Sequence, residues 1–567
     1  MHGSSSSAAE SLPPPSSNNN HVVAAAAADA SPFAPIAIDA HHFPPHFIFG
    51  AASSAYQIEG AHNKSGKGPS ILDTFFHDYP ERTEDGSNGD LAVDFYHKYE
   101  EDIKRMSSEL GINAFRFSIA WSRVIPSGRV SEGVNEEGIS FYNKVINEVI
   151  RNGLEPFVTI FHYDVPQALE DKYGGFLSER IVSDYKDFAE LCFQRFGDRV
   201  KHWITFNEPY QFSMGGWESG MSAPGRCSSW VNRACQAGDS STEPYIIAHN
   251  LLLAHAHAVN LFKTKYQDLD STPKGQIGIT LDVTWSEPLS DGHEDIDAAL
   301  TNLDFTYGWF MDPMTYGQYP KRMTALVGER LPKFTWDEIR MLKNAYDFVG
   351  INYYTSTYVS ANFTPDPNPN HIKVSTDRRV TLTPYKNGIP IGEQATPTWL
   401  HVYPKGIFEI LKYTKDTYRN PLIYITENGV GDPVDLSPQD AAKDTWRINY
   451  HMKHLFYVRQ AICEENVNVK GYFAWSYIDN LEWQSGYAVR MGLYNVDRST
   501  KELTRTPKWS VNWFHNFLNK TDSSASGSIN PDACRRLIPI RLDETEQQLP
   551  CAIGAVANYP KVAHDEL

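Results

Sequence analysis

Two short apolar runs in this chain end in a glutamate presented in the same way: Trp203-Ile204-Thr205-Phe206-Asn207-Glu208-Pro209 and Leu422-Ile423-Tyr424-Ile425-Thr426-Glu427-Asn428-Gly429. Each reads as a buried strand with a carboxylate at its C-terminal end, the end at which a barrel enzyme keeps its chemistry. With 69 acidic residues in the chain, a solvated surface charge is the default for any one of them. Glu208 and Glu427 depart from it because each follows an apolar run and lies against Asn or Pro. Such placement desolvates a carboxylate and raises its pKa, so that one group can hold a proton while its partner stays charged. A pair of that kind suits hydrolysis of a glycosidic bond.

The elements needed to position such a pair recur along the chain. Apolar runs at 47–52, 114–119, 156–161, 203–206, 277–283, 348–353, 422–426 and 471–475 stand in the order expected of eight strands, with helical patterns between them. The clearest helix spans 179–196, where Ile181, Tyr185, Phe188, Cys192 and Phe196 step by three or four to form one apolar stripe. This alternation predicts an α/β fold, a single (β/α)8 TIM barrel with long βα loops. Longer irregular stretches at 215–242 and 361–396 follow the fourth and sixth strands, where barrel loops build specificity. Composition shifts near Phe43 and again after Lys520. Residues 1–42 therefore read as a disordered or targeting arm, 43–519 as the barrel and 520–567 as a polar tail.

Composition narrows the partners. A formal charge of -18 argues against nucleic acid and anionic membranes, and no apolar run approaches the ~18 residues of a spanning helix. With 30 Tyr, 29 Phe and 13 Trp, the chain has flat apolar faces on which sugars stack. No Cys/His cluster has zinc-ligand spacing, and neither a metal nor another cofactor is implied. Cys227 and Cys235 are expected to close a small loop disulfide, Cys534 and Cys551 are a further candidate pair, and Cys192 and Cys463 sit in helical patterns expected of buried thiols. The C-terminal His564-Asp565-Glu566-Leu567 is an endoplasmic-reticulum retention address, and Asn63, Asn362 and Asn519 head glycosylation sequons. The retention address makes the lumen of the reticulum the expected compartment, while the Ser/Ala/Pro-rich start, with no basic segment and only a weak apolar stretch, keeps plastid or cytoplasm as the alternative.

On the Thr205-Phe206-Asn207-Glu208-Pro209 and Ile425-Thr426-Glu427-Asn428-Gly429 blocks, the chain resembles plant β-glucosidases of glycoside hydrolase family 1, over roughly residues 47–517. The resemblance implies that Glu208 is the acid/base and Glu427 the nucleophile of a retaining mechanism. It implies that Arg116 lies beside the nucleophile and that the Tyr354 hydroxyl contacts it, with Tyr353 left to core packing. Gln57, His162, Asn207, Glu482 and Trp483 match the set that binds glycon hydroxyls, Trp475 the platform under the ring, and Trp399 the tryptophan that stacks on the aglycone. A carboxylate at Glu482 repels a phosphate, so an unphosphorylated glycon, glucose first, is expected. The implied substrate is a specialised-metabolite glucoside: cyanogenic, phenolic, terpenoid or alkaloid.

Three positions depart from the family pattern: Tyr163 stands where His-Trp-Asp is usual, Met491 where Phe is usual, and Leu72 replaces a Trp. All three are expected to touch packing or subsite shape rather than the catalytic pair. A transglucosidase sharing the covalent intermediate is the nearest alternative, and a non-catalytic storage or binding protein a more distant one. Assembly into a homo-oligomer is left open.

Overall fold

In a computed structural model that describes residues 38–267, 274–364, 368–433 and 436–519, the eight strands close into one barrel. They are β1 (Ile48–Ala52), β2 (Ala114–Ser118), β3 (Glu155–Phe161), β4 (His202–Asn207), β5 (Gln276–Pro288), β6 (Phe348–Ala361), β7 (Ile423–Asn428) and β8 (Val469–Trp475). Each pairs in parallel with the next, and β8 returns to β1 with Ile48 opposite Gly471 and Ala52 opposite Trp475. Strands β2, β4 and β7 are buried at every residue. Parallel strands covered by helices outside and by side chains inside must be apolar on both faces, which is why they read as continuous runs.

The barrel interior is filled. Ala52, Ala114, Phe157, Ile204, Phe348, Tyr424 and Phe473 form one buried cluster from seven of the strands. Space for the Phe473 ring comes from Gly50, where a Cβ would lie 2.4 Å from it. Outside, the helix Arg180–Phe196 buries Ile181, Tyr185, Phe188, Cys192 and Phe196 as its spacing requires. Tyr185 stacks on Phe206 at 4.3 Å, and its hydroxyl donates to the Thr205 carbonyl at 2.6 Å. That helix therefore fixes the strand that leads to Glu208.

The stretch after the sixth strand is more ordered than its composition suggests. Strands β5 and β6 run on together to Pro288 opposite Val359, and a short strand Val380–Thr383 adds antiparallel to the end of β6. Beyond it, Tyr385–Lys386 pairs with Ile389–Pro390 across Asn387 and Gly388, both left-handed as a two-residue hairpin turn requires. Cys227 and Cys235 form the expected disulfide, and Cys192 is a buried thiol. Cys463 is half-buried and disulfide-bonded, against the expectation of a thiol, because periodicity reports the buried face of a helix and not a covalent partner. Among the described residues no helix is long and apolar enough to cross a membrane. Cys534, Cys551 and the terminal His564-Asp565-Glu566-Leu567 lie outside the described residues.

Candidate active site

Both glutamates leave their strands at irregularities. The β4–β5 register shifts between Ile204 and Asn207, and the β7–β6 register between Ile425 and Glu427. Such bulges break the regular in-and-out alternation and re-aim a side chain. Glu208 follows with φ 46°, a left-handed conformation uncommon outside glycine, held by its N–H donating to the Thr280 carbonyl at 2.9 Å. Pro209, whose missing N–H costs nothing at a helix start, opens the short helix Pro209–Ser213. Just past β7, Gly429 permits a close approach to the end of β8, since a Cβ there would lie 1.8 Å from the Trp475 carbonyl oxygen.

Glu427 is buried between a cation and a phenol. Arg116 Nη1 donates to Oε1 at 2.5 Å, and the Tyr354 hydroxyl donates to Oε2 at 2.7 Å. The guanidinium is fully buried, so this is a charge-assisted hydrogen bond shielded from solvent. Burial and the Glu427 charge push the Tyr354 phenol well above its usual pKa, which keeps it a donor. Tyr353 points into the core and donates to the Tyr403 carbonyl at 2.6 Å.

Glu208 has a different environment. Asn352 Nδ2 donates to its Oε1 at 2.7 Å and the Tyr163 hydroxyl to its Oε2 at 2.6 Å. Burial, then the charges of Glu427 and Asp282, hold its carboxyl well above the usual range, against the two donors. The group is thus suited to carrying a proton.

Asn207 joins the two sides. Arginine has only donors, so the 2.6 Å contact from Arg116 Nη2 must be to Oδ1, and the amide orientation follows. Nδ2 then faces His162 Nε2 at 3.3 Å and the Tyr163 oxygen at 3.4 Å. His162 Nε2 is the acceptor in that contact, which places the proton on Nδ1. Burial, aided by the nearby Arg116 charge, lowers the His162 pKa well below its usual value, so the ring is neutral. Its Nδ1 is buried without a protein partner, as is Glu482 Oε2. Unpaired buried polar atoms of this kind are what ligand hydroxyls satisfy.

The remaining sequence-derived positions divide. The His162 ring lies nearly parallel to Trp475 at 6.2 Å and to Trp483 at 6.0 Å, so these three come together. Burial pushes Glu482 up to about 8, partly offset by a hydrogen bond from Trp475. It holds a proton near neutrality until donors stabilise its anion. Gln57 spends both amide hydrogens on Asn480 and the Leu481 carbonyl at 2.9 and 2.8 Å, so it braces the segment leading to Glu482 and keeps only acceptor capacity. Trp399 is 56% exposed and stands edge-on to Tyr354 at 6.0 Å, at the rim rather than inside. Asn63 and Asn519 are exposed, whereas Asn362 is half-buried with its Oδ1 accepting from the Thr364 N–H at 3.0 Å.

Sequence reasoning passed over Tyr163 as a donor, Asn352 and Asp282. Asn352 heads the Asn352-Tyr353-Tyr354 block, and Asp282 is the acidic residue inside the apolar run at 277–283; a polar group interrupting a buried strand was the available signal. Asp282 accepts from Gln211 Nε2 at 2.9 Å, and burial pushes it up to about 7.

A closed barrel with two glutamates at the C-terminal ends of β4 and β7, a buried arginine and stacked aromatic rings defines the glycoside hydrolase class. The family model described as "Glycosyl hydrolase family 1" matches residues 39–523. The chain belongs to that family. It is 52% identical over 479 residues to "Beta-glucosidase 24" of Oryza sativa subsp. japonica, covering 84% of this chain and 94% of that protein. It is 50% identical over 506 residues to "Raucaffricine-O-beta-D-glucosidase" of Rauvolfia serpentina, covering 86% and 93%. The crystal structure of rice Os3BGlu6 beta-glucosidase superposes with TM-score 0.83 at 47% identity, covering 85% of this chain and all of that one. A variant of the rice protein is described in a covalent complex with Glc, at the same TM-score of 0.83.

Proposed function

We propose that this protein is a retaining β-glucosidase of plant specialised-metabolite glucosides, with Glu427 as nucleophile and Glu208 as acid/base. The observation that carries this reading is the contrast between the two carboxyls: Glu427 receives a buried arginine and a phenol, while Glu208 is pushed up by burial and by its neighbours' charges. In the first step a Glu427 oxygen bonds to the anomeric carbon as the bond to the aglycone oxygen breaks, and Glu208 passes its proton to that oxygen. In the second, Glu208 takes a proton from water, the water oxygen bonds to the anomeric carbon, and Glu427 departs. Two inversions keep the β configuration.

The covalent Glc complex described for the rice relative supports the intermediate. His162, Asn207, Glu482 and Trp483 bind the glycon hydroxyls over Trp475, with Gln57 bracing them, and Trp399 stacks on an apolar aglycone at the rim. Relatives at 48–50% identity carry names as different as raucaffricine glucosidase, an isoflavonoid glycoside β-glycosidase and furcatin hydrolase. That spread supports a specialised-metabolite glucoside as the substrate class. The terminal His564-Asp565-Glu566-Leu567 and the Cys227–Cys235 disulfide both favour the lumen of the endoplasmic reticulum, with glycans at the exposed Asn63 and Asn519.

The test is turnover of an aryl β-glucoside. Glu427→Gln is expected to lose several orders of magnitude of activity, and azide is expected to rescue Glu208→Gln on substrates with good leaving groups while giving a β-glucosyl azide. An α-configured azide, or near-normal turnover by either variant, would sink the assignment.

A further inference from the structure

The hydroxyl of Tyr163 is committed in direction. Asn207 Nδ2 faces its oxygen, because Oδ1 of the same amide is taken by Arg116, so the phenolic proton is left for Glu208 Oε2 at 2.6 Å. The ring is held on two sides, by Phe212 in a parallel stack at 5.8 Å and by Trp483 at 5.1 Å. Its backbone sits at φ 74°, a conformation costly for a bulky side chain and retained only where the surroundings over-determine it. Glu208, which the hydroxyl meets, and Trp483, which the ring meets, are also left-handed, at φ 46° and 49°.

We propose that Tyr163 is a positioning residue that fixes one oxygen of Glu208 and, by donating to the ionised form, makes Glu208 a stronger acid toward poor leaving groups. This rests on the acid/base reading of Glu208. The phenol makes its full contribution only when Glu208 is charged, so it lowers the cost of surrendering the proton. It works against burial and against the charges of Glu427 on β7 and Asp282 on β5. Asn352 on β6 acts with it, and Arg116 on β2 reaches Glu208 through Asn207. The neighbouring His162 is neutral, and Tyr354 and Glu482 also stand near the pair. The Tyr163 phenol is itself pushed up by burial and by Glu208, so it remains a donor across the working range.

Tyr163→Phe removes one oxygen and leaves the ring contacts in place. The alkaline limb of kcat/KM is expected to move up by about one to two pH units, the equivalent of one hydrogen bond to a charged group. Turnover of an alkyl β-glucoside should fall roughly tenfold while that of a dinitrophenyl β-glucoside changes little, because only the former needs the acid. Placing 3-fluorotyrosine at 163, a stronger donor of the same shape, should move the limb down. An unmoved limb, or parallel loss on both substrates, would overturn the proposal while leaving the glucosidase reading intact. A wild-type limb that survives Glu208→Gln would overturn both.

Discussion

Arg116 and Asn207 meet at 2.6 Å, and through that contact the two carboxyls at the barrel mouth share one hydrogen-bonded frame. One guanidinium nitrogen holds Glu427 and the other holds the amide that faces His162 and the phenol on Glu208. The planar fork serves the two partners from two separate nitrogens held at a fixed spacing. Arg116→Lys keeps the charge but gathers its donors on one nitrogen at the end of a shorter group, which cannot span the two partners held by separate guanidinium nitrogens. Its kcat is expected to fall about 10²–10³-fold, the cost of losing one preorganised donor at a reacting group. Steady-state kinetics on an aryl glucoside, beside an unchanged circular dichroism spectrum, check this.

Asp282 tests the electrostatics of Glu208 from the other side. It contributes a like charge that raises the Glu208 pKa, ranking after burial and Glu427. Asp282→Asn removes the charge and keeps the shape and the acceptor for Gln211. The alkaline limb should move down by roughly half a unit to one unit, opposite in sign to Tyr163→Phe. A pH profile that moves upward would contradict the assigned repulsion.

Much of this is legible in the amino-acid sequence. All eight barrel strands announce themselves because a strand buried on both faces has few polar positions to confuse the pattern, and Glu208 and Glu427 stand out as charges at the ends of such runs. What could not be read is which polar groups meet. Tyr163 lies 45 residues from Glu208 and Asn352 lies 144 away, and their side chains meet only when the barrel closes. Tyr163 looked like a packing variant of a tryptophan because an aromatic ring explains itself by area, while its hydroxyl gives no periodic signal. The loop after β6 was hidden for another reason. Its short strands pair locally and are largely exposed, so they lack the apolar alternation that marks a strand.

The buried acids also set the pH range of stability. Burial pushes Asp164, Asp282 and Asp312 up to about 7 and Glu482 up to about 8, from about 4 in an unfolded chain. For a raised carboxyl the folded state binds the proton more tightly, so stability falls as pH rises from the unfolded value through the folded one. Buried His255 and His454, lowered by burial to about 3, work the other way and lose stability as pH falls below about 6.5. The two sets compensate in the acid range, and above about 6.5 only the carboxyls still titrate. The melting temperature is therefore expected to decline between pH 6.5 and 8, and Glu482→Gln should flatten that decline.

In the segments that follow β7 and β8 lies a charge cluster that the catalytic groups do not use. Lys508 is fully buried and donates to Asp432 Oδ2 at 3.0 Å and to Asp479 Oδ1 at 2.9 Å, while Arg447, also fully buried, pairs with Asp432 and Asp444. Asp479 in turn accepts from the Gly492 N–H at 2.9 Å, next to Met491, which packs in the buried cluster with Trp475. Burying these charges is costly, and the arrangement holds only while every one is paired. Lys508→Met fills the space but leaves Asp432 with one fewer cation and Asp479 with none of its Lys508 contact. A loss of about 3–5 kcal/mol of unfolding free energy is expected, because an uncompensated buried carboxylate must be solvated or protonated. Denaturant titration at pH 7 measures it. The same titration at pH 5 should show a smaller deficit, since Asp479, raised by burial, takes up a proton more readily once the lysine is gone. A deficit equal at both pH values would mean that packing, not charge, is what Lys508 supplies.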